Sequence, residues 1–219
     1  MKRATSSTTR QRLASTCLVV LCASATTAAN AWSLNITSGA RRLFLHVGNG
    51  SLSGQSGTLN GSTGNSGIVN TVRADPTVAQ LVGGAPLAMT SNSTQSTSLY
   101  GDGVVICPTP SSQVLIGAGY RRNNSAADAI LSVSSPTFLT DVSTGEIIPI
   151  TQISWSVSAP GSPVPGVIPA GTFTGGVQTL TTLPGNRYIE NCHTYSYANS
   201  ALRAAGTYTG QVTYTLSSP

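Results

Sequence analysis

Charged and catalytic side chains are scarce in this sequence. Its 219 residues include 11 Lys plus Arg, 6 Asp plus Glu and 2 His, and Lys2 is the one lysine. A hydrolytic triad needs an orientable base, and the two histidines, His46 and His193, fall inside apolar or aromatic runs. We therefore interpret both as partly buried, hydrogen-bonded histidines.

The acidic residues are too few and too dispersed for carboxylate chemistry. Paired carboxylates are needed for glycoside hydrolysis, but most of the six acids lie beside turn residues, where Asp is common for local hydrogen bonding. They are Asp75, Asp102, Asp128, Asp141, Glu146 and Glu190. No zinc-type spacing is present, and Gly48-x-Gly50 lacks the third glycine of a dinucleotide fingerprint. The sequence predicts a non-catalytic protein with no metal and no cofactor.

The first 31 residues differ from the rest. A basic start is followed by an apolar stretch, Leu13 to Ala25, and by the small-residue ending Ala29-Asn30-Ala31. This pattern predicts a signal peptide over 1–31, cleaved before Trp32. A lipid anchor on Cys17 or Cys22 is the alternative, but Thr16 and Leu21 precede them instead of a small residue.

Removal of that segment changes the charge balance. Four of the basic residues lie within it, which leaves seven arginines, six acids and a net charge of +1 over 32–219. The basic character of the whole chain therefore predicts neither a nucleic-acid partner nor membrane insertion. We expect a secreted protein, placed between the periplasm and the cell surface.

Two cysteines remain after residue 31, Cys107 and Cys192. In an exported protein such a pair predicts a disulfide. A metal or redox site is disfavoured, because Cys192 and the adjacent His193 would point to opposite faces of a strand.

Short apolar runs separated by Gly, Pro and Asn dominate the remainder. Residues 48–67 form a Gly, Ser, Asn and Thr tract that predicts a flexible loop. The run Val114 to Tyr120 is apolar on both faces and predicts a central strand, whereas Val78 to Val82 predicts a short one. Short helices are expected only around 126–129 and 200–204. Nine to eleven strands at this spacing predict an all-β, two-sheet antiparallel sandwich in a single domain, 32–219.

The last stretch, Gly206 to Ser217, alternates most clearly. Its apolar side carries Tyr208, Val212, Tyr214 and Leu216, and Thr or Gln residues occupy the other side. This is the pattern of a half-buried strand.

The aromatic residues leave two interpretations open. If they lined one exposed face they would stack on sugar rings, but packing in the core and across strands is the favoured interpretation. They are Tyr120, Trp155, Tyr188, Tyr195 and Tyr197.

The ending GTYTGQVTYTLSSP, after a signal peptide and Gly/Ser-rich loops, resembles the C-terminal strand of bacterial chaperone–usher pilus subunits and of the related spore-coat-U-like secreted proteins. The resemblance implies an immunoglobulin-like sandwich completed by an N-terminal extension of the next subunit. It implies that Trp32, Leu34 and Ile36, within 32–38, are the donor residues, and that the final strand is an edge contacted by donor and chaperone.

The expected function is therefore that of a fimbrial structural subunit, in adhesion or biofilm, with like subunits and a periplasmic chaperone as partners. The alternative is a stand-alone periplasmic or extracellular module that binds a carbohydrate or a protein.

Overall fold

A computed structural model describes residues 32–52, 63–65, 69–99, 104–123, 127–158 and 168–219. This part of the chain contains one α-helix, α1 (Val78–Gly83), and two 3₁₀ helices, Pro110–Ser112 and Ile150–Gln152. Its strands are, in chain order, β1 (Trp32–Asn35), β2 (Arg42–Val47), β3 (Gly50–Leu52), β4 (Thr63–Asn65), β5 (Val72–Arg73), β6 (Leu87–Ala88), β7 (Thr90–Ser91), β8 (Gln113–Arg121), β9 (Ala129–Ser135), β10 (Phe138–Asp141), β11 (Ile147–Pro149), β12 (Ile153–Ser158), β13 (Gly171–Thr172), β14 (Gly176–Leu183), β15 (Arg187–Tyr197), β16 (Tyr208–Thr209) and β17 (Thr213–Ser217). The predicted all-β class is confirmed.

The largest sheet is antiparallel and has the order β13-β12-β15-β8-β2, with β1 and β6 also paired to β15. Its centre is β15, the longest strand at 11 residues. One edge of β15 pairs with β8 over Arg187–Asn191 and is continued by β6. The other edge pairs with β12 over Cys192–Tyr197 and with β1 over Arg187–Glu190. Two short partners are thus needed to complete the pairing of this strand.

A second antiparallel sheet, β14-β9-β17, packs against the first. The two sheets share one hydrophobic core, which we call the first core. Alternate residues of its strands, such as Leu131 and Leu183, are fully buried against side chains of the large sheet such as Ile116 and Ile189. Burial of this apolar surface, worth about 25 cal/mol per Å², is the main force holding the two sheets together.

The opposite face of the large sheet is also covered. A smaller cluster there, which we call the second core, contains Phe44, Leu99, Ile106, Leu115 and Tyr188. Because the even positions of β8 face the first core and Leu115 faces the second, every residue of β8 is buried. The predicted central strand over Val114–Tyr120 is confirmed.

The prediction of a strand over Val78–Val82 is wrong, because this segment is α1. Thr77 and Gln80 form a capping box, in which the Thr77 hydroxyl accepts from the Gln80 N–H while the Gln80 side chain accepts from the Thr77 N–H. Gly84 ends the helix in the left-handed conformation, at φ 64°. These local signals override the β preference of the valines.

Two other local predictions also differ from the structure. The segment 200–204 is irregular. Of the helix expected around 126–129, residues 127 and 128 are irregular, Ala129 begins β9, and residue 126 lies outside the described residues. In the Gly/Ser tract, Gly50–Leu52 pairs with Thr63–Asn65 as a two-stranded ladder. The rest of the predicted loop between 53 and 67, apart from 63–65, lies outside the described residues.

Candidate assembly surface at the terminal strands

The first described strand, β1, lies in the sheet of its own chain. Its antiparallel register on β15 places Trp32 opposite Glu190 and Asn35 opposite Arg187. The next residue, Ile36, is 5% exposed in the second core, and its N–H donates to the Asn186 carbonyl at 3.0 Å. The expectation that Trp32, Leu34 and Ile36 project from the sandwich is therefore not met in the single chain.

The last strand, β17, is an edge strand of the three-stranded sheet. Among the described strands it pairs with β9, from Thr213 opposite Ser134 to Ser217 opposite Ile130. Val212, Tyr214 and Leu216 are half-buried against the core, whereas the intervening residues are exposed. The alternation at the end of the sequence thus has the predicted structural meaning.

The run Gly206 to Ser217 is two strands, not one. Tyr208 belongs to β16, which pairs with β10, and the chain then changes sheet before β17 begins. Gly210 lies at the crossing, where an added Cβ would be 2.7 Å from the Leu139 Cδ2 atom. Such a close approach needs glycine.

The two terminal strands do not pair with each other. β1 adds to β15 in the large sheet and β17 adds to β9 in the small one. The resemblance implied a donor segment beside the final strand, but the structure places the N-terminal segment beside β15. The N-terminal segment lies elsewhere than expected because the topology of the fold sets its partner, which the residue pattern of neither strand specifies.

A buried polar pair lies next to β1 on β15. The Tyr188 hydroxyl donates to Glu190 Oε2 at 2.8 Å, and both residues are 0% exposed. Gly117, on the neighbouring β8, makes room for the pair, since a Cβ there would be 2.7 Å from the Tyr188 hydroxyl oxygen. Sequence reasoning placed the acids near turns and missed this one. The signal available in the sequence for this buried pair was that Glu190 follows Tyr188 by two residues within one long strand.

His193 is buried but not hydrogen-bonded. It is 0% exposed, stacks on Trp155 with ring centroids 6.1 Å apart, and neither ring nitrogen has a hydrogen-bond partner in the described structure. Burial lowers the pKa of His193 from 6.5 to about 3. The prediction is right about burial and wrong about hydrogen bonding.

His46 matches the prediction more fully. It is 8% exposed and its Nε2 hydrogen-bonds to the Gly48 carbonyl. Burial lowers the pKa of His46 to about 4, although the hydrogen bond opposes this shift. Both imidazoles are therefore neutral at pH 7.

The five aromatic residues considered for sugar stacking are all inside the protein. Their exposed fractions run from 0% for Tyr188 to 7% for Tyr197. The hydroxyls of Tyr195 and Tyr214 lie 3.0 Å apart and share a hydrogen bond, and burial raises the pKa of Tyr195 to about 12. These aromatics are packing residues, as the favoured interpretation predicted.

Cys107 and Cys192 form the predicted disulfide. Both are 0% exposed, and their Cα atoms are 5.4 Å apart. The bond joins the segment before β8 to the middle of β15, across the second core. A buried disulfide is compatible with a protein that folds outside the cytoplasm.

Within the described ranges, no three His, Cys, Asp or Glu side chains come together as metal ligands. The helices described are too short or too polar to span a bilayer. A shallow polar cleft is lined by Thr71, Arg73, Thr90, Ser91 and Asn92, and Arg73 pairs there with Asp75 at 2.8 Å.

No family model matches the chain, and no curated protein or solved structure matches it. The case for a function therefore depends on the geometry of the two terminal strands.

Proposed function

We propose that this chain is a secreted, non-catalytic structural subunit, an immunoglobulin-like β-sandwich that assembles with like subunits by strand exchange. In the assembly, β1 of one copy leaves its own β15 and pairs with the same edge of β15 in the next copy. Such an exchange keeps every native contact while joining two chains. Assembly takes place at the bacterial surface, after delivery by a periplasmic chaperone.

One observation carries this proposal: a four-residue segment at the start of the sandwich completes the pairing of its central strand. β12 covers β15 only from Cys192 onward, so the edge at Arg187–Glu190 depends on β1. Without β1 this edge of β15 would be open, and an open edge is a template for another chain. The segment after Ile36 and before Arg42 spans about 17 Å when extended, at roughly 3.3 to 3.6 Å per residue, so β1 is able to reach a neighbour.

The edge of β17 supports a second contact. Its inward side chains Val212, Tyr214 and Leu216 are half-buried, so a strand added beside it would cover them further. A chaperone that adds a strand there would shield this edge until assembly.

The alternative, a stand-alone binding module, has less support. Its candidate sugar-stacking residues are buried, with Tyr120 at 1% and Trp155 at 3% exposure. We therefore propose the subunit alone.

Cross-linking between chains tests the exchange. Asn35 and Arg187 are directly opposed in the antiparallel ladder, where Cα atoms are about 4.5 to 5.5 Å apart, a separation that a disulfide spans. Asn35→Cys and Arg187→Cys are made in separate chains, unfolded together with the native disulfide intact, refolded and oxidised. We expect an Asn35→Cys/Arg187→Cys heterodimer on a non-reducing gel.

The matched control pairs Asn35→Cys with Thr215→Cys on the exposed side of β17. No enriched heterodimer is expected, because β1 does not pair with β17. Cross-linking of this control alone would put the donor beside the final strand. A chain that carries both substitutions, Asn35→Cys and Arg187→Cys, serves as a reference. If this chain forms the new disulfide only within itself, and the two single variants form no heterodimer, exchange is ruled out.

A further inference from the structure

The final strand, β17, has one edge with no strand beside it in the part of the chain that the structure describes. Its other edge pairs with β9 over all of its residues, from Thr213 to Ser217. Natural sheets protect such edges with charged side chains, proline, bulges or very short strands, because the unpaired N–H and C=O groups attract a further strand. A longer edge without these protections is therefore expected to have a partner.

Two other described strands of comparable or greater length form sheet edges, and each carries a protection. β14 has a bulge, because its register on β9 shifts between Thr179 and Thr181. β2 begins with the charged residue Arg42. β17 has neither, since it pairs in regular register and its five residues include no charge, proline or glycine. It is the unprotected edge among these three strands.

The whole sheet that ends at β17 lacks charged side chains. None of its strands, β14, β9 and β17, contains Asp, Glu, Lys, Arg or His. The outward positions of β17 are exposed hydroxyl residues, Thr213, Thr215 and Ser217. Like charges placed directly opposite each other destabilise paired strands. Two copies of this sheet meet edge to edge without such a conflict within their strands.

The inward side chains of β17 are incompletely covered. Val212, Tyr214 and Leu216 are half-buried against the first core. The Tyr214 hydroxyl shares a hydrogen bond with that of Tyr195 at 3.0 Å, which fixes the position of the Tyr214 ring. A strand added beside β17 would remove more of this apolar surface from water, which is favourable.

Contacts at both ends hold β17 in place. Before the strand, the chain passes Leu139 at Gly210, where an added Cβ would be 2.7 Å from the Leu139 Cδ2 atom. After it, Arg41 donates from Nη2 to the Ser218 carbonyl at 2.9 Å and from Nε to Ser218 Oγ at 3.1 Å. An edge that is already ordered loses little conformational entropy when it binds.

The sequence of β17 is complementary to itself in one antiparallel register. With Thr215 opposite the partner's Thr215, Tyr214 lies opposite the partner's Leu216 and Thr213 opposite the partner's Ser217. Every residue of the strand is then paired, apolar with apolar inside and hydroxyl with hydroxyl outside, and Thr–Thr pairs of this kind stabilise a sheet. A shift by one residue would place Tyr214 opposite the partner's Thr215 and mix the two faces.

We propose that two copies of this chain pair β17 with β17 around a twofold axis at Thr215. Their two sheets become one continuous six-stranded sheet, and the contact closes on itself because both copies use the same surface. Ser218 lies opposite the partner's Val212, so the two copies of Ser218 are about 20 Å apart. The Arg41 charges beside them are therefore separated by more than the screening length at physiological salt.

This contact adds to the assembly proposed above. It takes from that proposal the release of the β17 edge by a chaperone, but it does not require exchange of β1. Exchange would join copies along a filament, whereas pairing of β17 would join two filaments side by side.

Single-cysteine cross-linking of the mature protein tests the register. Thr215→Cys should form a covalent dimer on mild oxidation, because opposed residues of an antiparallel pair have Cα atoms about 4.5 to 5.5 Å apart, within reach of a disulfide. Thr213→Cys and Ser217→Cys should each cross-link poorly alone and form a heterodimer when mixed. Thr179→Cys, exposed on the other edge strand of the same sheet, is the matched control and should form no enriched dimer.

A charge swap measures the contact without a cross-link. Sedimentation velocity follows dimerisation with concentration in a background where the Asn35→Cys/Arg187→Cys disulfide keeps β1 on its own chain. Thr215→Lys and Thr215→Glu should each self-associate about fivefold more weakly than this background, and their mixture should recover dimers. Thr179→Lys, the control, should remain within about twofold. Circular dichroism verifies that each variant is folded.

The outcomes separate this contact from strand exchange. Equal cross-linking of Thr215→Cys and Thr179→Cys, dimers of Thr213→Cys alone, or no weakening by Thr215→Lys would each overturn the proposal. Self-association that disappears when β1 is locked would also overturn it, since the contact would then belong to the exchange. A Thr215→Cys dimer that persists with β1 locked supports pairing through β17, even if the separate Asn35→Cys and Arg187→Cys chains form no heterodimer and exchange is thereby refuted.

Discussion

At the scale of single residues, Gly117 governs the packing between β8 and β15. A Cβ there would be 2.7 Å from the Tyr188 hydroxyl oxygen, whose hydrogen bond to Glu190 is fully buried. Gly117→Ala should therefore destabilise the protein by about 2 to 3 kcal/mol, through steric strain and a weakened buried hydrogen bond. Urea unfolding measures the change.

Gly83→Ala is the matched control, because a Cβ at Gly83 meets no atom within 4 Å. It should be neutral or slightly stabilising, by up to about 1 kcal/mol in a helix. Equal effects of the two substitutions would show that the contact with Tyr188 is not the cause.

His193 makes stability depend on pH. Its pKa is about 3 in the folded protein against 6.5 when exposed, so between these values the unfolded chain binds more protons and stability falls as the pH is lowered. The loss from His193 alone between pH 6.5 and pH 4 should be about 3 kcal/mol. Tyr195, whose pKa is raised to about 12, does not titrate in this window.

His193→Phe keeps a ring against Trp155 and removes the titrating group. The variant should lose less stability on acidification, and urea unfolding at pH 7 and pH 4 gives the comparison. The remaining slope would come in part from His46, whose pKa is lowered in the same direction. An identical loss in variant and wild type would contradict this account.

At the scale of elements, the sequence predicted strands well where the spacing of apolar residues shows which faces are buried, and less well where local geometry decides. β8 and β17 were readable because apolar spacing reports directly which faces are buried. α1 was missed although Thr77 and Gln80 have the capping-box spacing, because short valine-rich runs fit either structure. The break of the last run at Gly210 depends on contact with Leu139, which no local pattern contains.

The Cys107–Cys192 bond connects elements that are 85 residues apart in sequence. Replacing both cysteines by alanine should destabilise the protein by about 4 kcal/mol in the chain-entropy model for a loop of this length. Denaturant unfolding quantifies the effect, and thiol labelling of the wild type in denaturant without reductant should find no reactive thiol at Cys107 or Cys192. Reactive thiols at both positions would contradict the disulfide.

At the scale of the whole molecule, the class of fold was predictable and the arrangement of its terminal strands was not. Pairing of β1 with β15 and of β17 with β9 is long-range, and neither strand carries a residue pattern that identifies its neighbour. The juxtaposition of three arginines at neighbouring strand ends escaped sequence analysis for the same reason. Arg42, Arg121 and Arg187 are far apart in the chain, and only strand register brings them together.

Removal of β1 tests whether one segment serves both the single chain and the assembly. Deletion of residues 32–35 keeps Ile36, whose N–H bond to the Asn186 carbonyl and burial belong to the second core. Because β1 contributes one four-residue ladder to a sheet of seven strands, the deleted protein should stay folded, with an open edge at Arg187–Glu190. It should form no polymers of its own. It should still accept β1 from an intact subunit, and it should thereby terminate a growing polymer.

Size-exclusion chromatography and non-reducing gels of the deleted protein, alone and mixed with intact subunit, show which outcome holds. A synthetic peptide with the sequence of residues 32–37 should bind the deleted protein and block its capture by intact subunit, since it occupies the same edge. A scrambled peptide of the same composition should do neither. If the deleted protein unfolds even with the peptide present, or forms polymers as readily as the intact chain, then β1 is not the exchanged element. Assembly must then use another edge, such as β17.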